Sequence, residues 1–160
     1  MTRTYAAAQC TDLSFPDGIE IVERESASLR RHEVRLKIRA TGLNYPDYLM
    51  SRGEYQYKSD LPFVPGMEVS GEVIEIGADV TRWCCGQYVM AAGRMAGFAE
   101  EMTIDQSAVL LLPQNFSFEQ GTSFLVANRT AYNALFDRSA VKPYRMCGLR
   151  EAVKPHPAPA

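Results

Sequence analysis

Asn44, Asp47 and Tyr55 fall within one short stretch, NYPDYLMSRGEY, which gathers a carboxamide, a carboxylate and a phenol. A carboxamide both donates and accepts hydrogen bonds, and a phenol can donate one to a carbonyl that gains charge during a reaction. Each residue also has a plainer use. Asn44-Tyr45-Pro46 is good turn chemistry, Asp47 suits the first turn of a helix, and Tyr55 is at home on a solvated loop. Farther along, Thr130 either offers its hydroxyl to a ligand or satisfies it on a helix carbonyl.

Metal and thiol chemistry find little support. The two histidines, His32 and His156, and the four cysteines, Cys10, Cys84, Cys85 and Cys147, show none of the paired spacings of a zinc site or a dithiol redox motif. Adjacent Cys84 and Cys85 offer two reactive thiols. Cysteine more often behaves as a small apolar residue, so buried or half-buried structural cysteines are expected there.

Seventeen basic residues stand against nineteen acidic ones, giving a net charge of −2, and no lysine-arginine run occurs. Nucleic acid is therefore excluded as a partner. No apolar run approaches the roughly 20 residues that span a bilayer, and the apolar run at residues 5–8 is too short for a signal peptide. The expectation is a cytoplasmic protein with no membrane span. Its 160 residues, 46% of them hydrophobic, suffice for one domain with its own core.

The elements that must position these residues read mainly as strands. Val34, Leu36, Ile38 and Ala40 alternate with Arg35, Lys37, Arg39 and Thr41, which predicts a strand with one row in a core and the other in water. Residues 19–23, 69–76, 87–91, 98–104 and 108–112 are further β-rich segments bounded by turn residues. Ser117 and Gln120 have the form of a capping box, predicting a helix to about residue 124, weakened by Gly121. A second helix is predicted over residues 127–138. Many short strands with Gly- and Pro-rich connections predict a mainly β fold with a few helices, arranged as a partly open barrel.

Four segments in order carry a resemblance: ATGLNYPDYLMSRGEY (residues 40–55), LPFVPGMEVSGEVIEIGADV (61–80), AGFAEEMTI (96–104) and RTAYNAL (129–135). Together they resemble the amino-terminal GroES-like domain of the medium-chain dehydrogenase/reductases, of the zinc-free quinone oxidoreductase type. The resemblance covers about residues 3–141 and implies a GroES-like catalytic-side domain, a partly open barrel, over residues 1–141. It implies that a Rossmann domain should follow, but residues 142–160 hold four prolines and no Gly-x-Gly-x-x-Gly. That segment is expected to be a loose tail standing where the Rossmann domain would start, in a truncated or frame-shifted product.

The resemblance also implies roles. Asn44, Asp47 and Thr130 match cofactor-binding positions for NADPH, and Tyr55 matches a catalytic tyrosine of the substrate pocket. Zinc-dependent relatives carry a cysteine where this chain has Asn44 and a Gly-His-Glu where it has Gly66-Met67-Glu68, so no catalytic zinc is expected. Leu49 replaces a polar residue of the family pattern, and Gln87 replaces an acidic turn residue after Gly86.

Without a Lewis acid to hold alkoxide charge, hydride delivery to a quinone or conjugated enone is favoured over alcohol oxidation. The chain alone is expected to be inactive or nearly so, and to self-associate through the exposed interdomain face. The alternative is a non-catalytic β-rich module that binds a partner through that face.

Overall fold

The computed structural model describes residues 3–138. Seven strands and three helices follow one another: β1 (Thr4–Cys10), β2 (Ile19–Glu25), β3 (Glu33–Gly42), α1 (Tyr45–Ser51), β4 (Glu68–Ile76), β5 (Tyr88–Ala92), β6 (Glu101–Asp105), β7 (Val109–Leu111), α2 (Phe118–Thr122) and α3 (Leu125–Tyr132). The chain falls into two units, divided between Ala127 and Asn128. The tail expected over residues 142–160 lies outside the described residues, and no parallel βαβ crossover occurs among those described.

In the first unit, five strands form one antiparallel sheet in the order β6-β3-β4-β5-β7, and β1 pairs with β2 in a separate ribbon. The sheets do not close into a barrel, as the partly open GroES-like reading expected. Strand β1 is an addition to the elements expected from the sequence. Its ribbon is tied to the larger sheet by Ala8 N–H to the Phe98 carbonyl at 2.8 Å and Glu100 N–H to the Ala6 carbonyl at 2.9 Å.

Alternation along β3 buries Val34 and Leu36 completely, against Val69, Val73, Val89, Ala91 and Val109. It misplaces Arg35, which the pattern put in water and which is only 4% exposed. Its Nε donates to Glu75 at 2.8 Å and its Nη2 to the Ala27 carbonyl. The guanidinium is buried because that neighbouring segment covers it and supplies an acceptor.

Helix α2 starts as predicted: the Ser117 hydroxyl accepts from Gln120 N–H at 3.2 Å, and the Gln120 side chain accepts from Ser117 N–H at 2.9 Å. The helix is shorter than expected, ending at Thr122. Gly121 there reflects packing, since a Cβ would sit 2.3 Å from the Leu112 Cδ1. The missing side chain lets α2 lie close on the sheet.

Cys84 and Cys85 are exposed, which corrects the expectation of buried structural cysteines. They occupy the turn between β4 and β5, where Trp83, 4% exposed, supplies the core anchor instead. Gln87 completes that turn without the family's acid, its Oε1 accepting from Cys84 N–H at 2.8 Å. Cys10 is the fully buried cysteine of the described residues.

The second unit, described to Arg138, continues α3 and adds a π-helical turn, Asn133–Arg138, with the Tyr132 and Phe136 rings 4.8 Å apart. The predicted helix over residues 127–138 is thus present, starting two residues earlier and changing its winding at Asn133.

Candidate functional site

Three of the four predicted site residues, Asn44, Asp47 and Tyr55, lie on α1 and its flanks. Asn44 is the N-cap residue, with extended backbone at φ −107° and ψ 152°. Pro46 lies in the first turn, where its missing N–H costs nothing. Asp47, the third helical residue, reaches back so that its Oδ2 accepts from Asn44 N–H at 2.9 Å. Its Oδ1 accepts from Gly66 N–H at 3.1 Å. One carboxylate therefore pins the start of α1 to the loop that leads into β4.

Asp47 is 1% exposed. Burial pushes its carboxyl above the usual carboxylate range, and nearby Glu68 adds to this, while backbone N–H donors from Asn44, Gly66 and Met67 pull the other way. The Nδ2 of Asn44 is buried and makes no hydrogen bond among the described residues. An unpaired buried donor is costly, and such groups are rare. This one belongs to the residue whose backbone N–H donates to Asp47, yet the side-chain amide has no acceptor among the described residues.

The far end of α1 meets a cavity of about 270 Å³ lined by Met50, Tyr55, Gln56, Tyr57, Met67 and Arg94. Behind it lies a small apolar cluster of Cys10, Met50 and Phe63, against which Tyr55, Met67 and Met95 pack. Tyr55 is half-buried there, its backbone N–H bonded to the Leu49 carbonyl at 3.2 Å. Residue 67, a histidine in the zinc-dependent pattern, presents a thioether to the cavity. Among the described residues no cluster of three His, Cys, Asp or Glu side chains could hold a metal ion.

Thr130 lies on α3 beyond the unit boundary, among residues 127–132, all exposed. It belongs to the second unit, whereas Asn44, Asp47 and Tyr55 belong to the first.

Two residues escaped the sequence reading. Arg94 enters the cavity wall from the loop after β5, far from α1 in sequence. Glu68, 1% exposed, uses its Oε1 to accept from the N–H groups of Leu125 at 2.5 Å and Val126 at 3.1 Å, capping α3. Its own carbonyl accepts from the Thr41 and Thr122 hydroxyls at 3.1 and 2.9 Å. A carboxylate at a helix N-terminus is favoured by the exposed N–H groups, but only the fold reveals which helix it serves.

The family model for the alcohol dehydrogenase GroES-like domain matches residues 30–114, and the chain belongs to that family. It is 37% identical over 142 residues to quinone oxidoreductase-like protein 2 of Rattus norvegicus, a match covering 89% of this chain and 40% of the relative. The structure of the quinone oxidoreductase from Coxiella burnetii superposes with a TM-score of 0.82 at 27% identity, covering 88% of this chain and 46% of that one. The quinone oxidoreductase from Thermus thermophilus, solved also in complex with NADPH, gives 0.74 at 32% identity, covering 86% and 42%. The chain thus spans about two fifths of the length of the curated relatives it matches. Its relatives include quinone oxidoreductase-like proteins of the medium-chain dehydrogenase/reductase family. No helix among the described residues is long and apolar enough to cross a membrane.

Proposed function

We propose that this chain is the substrate-side domain of an NADPH-dependent, zinc-independent reductase that delivers hydride to quinones or conjugated enones. The observation that carries the reading is the buried, unpaired Nδ2 of Asn44. A ribose hydroxyl or the nicotinamide carboxamide would supply the acceptor it lacks, so the residues present fit the cofactor. Bound NADPH supplies the hydride.

Each side chain has a part in that reading. Asn44 donates to the cofactor, and Asp47 acts as a positioning residue, since both its oxygens are engaged on backbone N–H groups. Tyr55 donates a hydrogen bond to the acceptor carbonyl as negative charge builds on it. Met50 and Met67 keep water from the cavity wall and adapt to flat rings, as flexible thioethers do. Thr130 is assigned to the cofactor from the family pattern around it.

Fusing this chain to the portion of the rat relative that it does not span tests the proposal. The fusion is expected to oxidise NADPH in the presence of a naphthoquinone and to be indifferent to zinc chelators. Asn44→Ala should raise the Kd for NADPH about tenfold or more, the loss of a hydrogen bond in a desolvated site. A folded fusion that consumes no NADPH, or one that chelation silences, would overturn it.

A second reading has an observation of its own. Leu43 and Tyr45, which flank Asn44, are 73% and 71% exposed. Apolar groups left in water invite association, which favours self-association or partner binding through this face. Sedimentation of the chain should show a dimer that Leu43→Ser with Tyr45→Ser dissolves.

A further inference from the structure

Arg94 alone carries charge among the residues that line the cavity. Backbone pairing holds it there. Gly93 N–H donates to the Met67 carbonyl at 2.8 Å, Ala96 to Val64 at 2.8 Å, Gly97 to Gly66 at 2.9 Å and Phe98 to Pro65 at 2.9 Å. Gly66, at φ +103°, permits the approach, since a Cβ there would lie 2.6 Å from the Phe98 nitrogen. Ala96 has φ 78°, a strained region for a residue with a side chain, and strain of this kind concentrates where a fold holds a functional loop.

The guanidinium of Arg94 sits 5.3 Å from the centre of the Tyr57 ring. Unlike Arg3, Arg31, Arg35 and Arg52, each of which pairs with a carboxylate, Arg94 forms no ion pair among the described residues. Stacking uses a face of the guanidinium and leaves its N–H edge for an acceptor. A cation stacked on an aromatic wall, with no counterion among the described residues, beside an otherwise uncharged cavity is suited to an anion attached to an apolar body.

We propose that Arg94 is a specificity residue, selecting acceptors that carry a carboxylate or sulfonate on the ring system conjugated to the reducible carbonyl. At about 270 Å³ the cavity falls just below the usual range for ligand pockets, which points to compounds of one or two rings. This inference rests on the reading that the cavity receives the acceptor.

The test uses a matched pair of unreactive probes, 2-naphthoate and 2-naphthamide, titrated into the chain with methyl-labelled methionine. The Met50 and Met67 methyl signals report binding in the cavity. The wild-type chain is expected to bind naphthoate about fivefold more tightly than naphthamide at low salt, with the gap narrowing as salt is added. Arg94→Gln should abolish the preference and leave the naphthamide Kd unchanged. Arg94→Lys should keep part of it, because lysine retains the charge but not the planar fork.

Equal binding of the two probes by the wild-type chain, or a preference that survives in Arg94→Gln, overturns the role of Arg94 and leaves the cavity assignment standing. Failure of both probes to move the Met50 and Met67 signals overturns both readings.

Discussion

Val34, Leu36, Val69, Val73, Val89 and Val109 meet with Trp83 inside the five-stranded sheet, whereas Cys10, Met50 and Phe63, joined by Met67, Met95 and Tyr55, gather behind the cavity. The first cluster is mostly branched aliphatic, with Met102 its one thioether, and such side chains have few rotamers and leave little room for rearrangement. The second is rich in unbranched, polarisable thioethers. The difference separates two tasks within one small domain: a stiff sheet fixes where the loops emerge, and a softer cluster backs the wall that a ligand would press against.

The largest test of that division is stability. Leu36→Ala should cost about 2–5 kcal/mol, through lost burial and an unfilled cavity, while Met50→Leu should cost less than about 1.5 kcal/mol. Urea unfolding with an unchanged m-value measures both. Equal costs would erase the distinction between the two clusters.

Asp47 sets the frame for the softer region, and Asp47→Asn should destabilise by about 1–3 kcal/mol, since one amide oxygen cannot serve both N–H donors. The effect carries a sign in pH. Burial raises the folded-state carboxyl above its unfolded value, so its contribution to stability is full at low pH, below the unfolded value, and declines as pH rises through the folded one. Asparagine does not titrate there. The stability gap between wild type and Asp47→Asn should therefore shrink as pH is raised from about 4. A gap that widens would show that the buried carboxylate is better solvated than its surroundings indicate.

The smallest effect sharpens the comparison most finely. In a Cys147→Ser background, Cys84 and Cys85 should react at once with a chromogenic disulfide, and their replacement by serine should change stability by no more than about 0.5 kcal/mol. Cys10, buried in the methionine cluster with its thiol pushed up by burial, should react slowly. A Cys10 rate as low as that of global unfolding would make the cluster as rigid as the sheet. A faster rate would measure its local opening.

The sequence displays some of this well. Period-two alternation locates β3, and the Ser117–Gln120 box marks the start of α2, because both signals are local. Strand β1 is not legible because its run of alanines has no alternation and the segment bonded along its other edge, residues 98–100, is distant in sequence. Arg35 and the Cys84–Cys85 pair are misplaced by averages: an arginine is buried when other segments supply acceptors, and a cysteine is exposed when it falls in a surface turn. At the candidate site, Asn44, Asp47 and Tyr55 are legible because one short stretch holds them all. Arg94 and Glu68 are not, since their positions depend on loops and helices joined only by folding.

Glu68 gives that joining a mechanical meaning. Its peptide neighbour Met67 forms part of the cavity wall, while its carboxylate grips the first turn of α3. The point at which α3 begins is therefore anchored one residue away from the surface that a ligand would touch. The strand end thus places the cavity's thioether and the anchor of the first helical turn on adjacent residues.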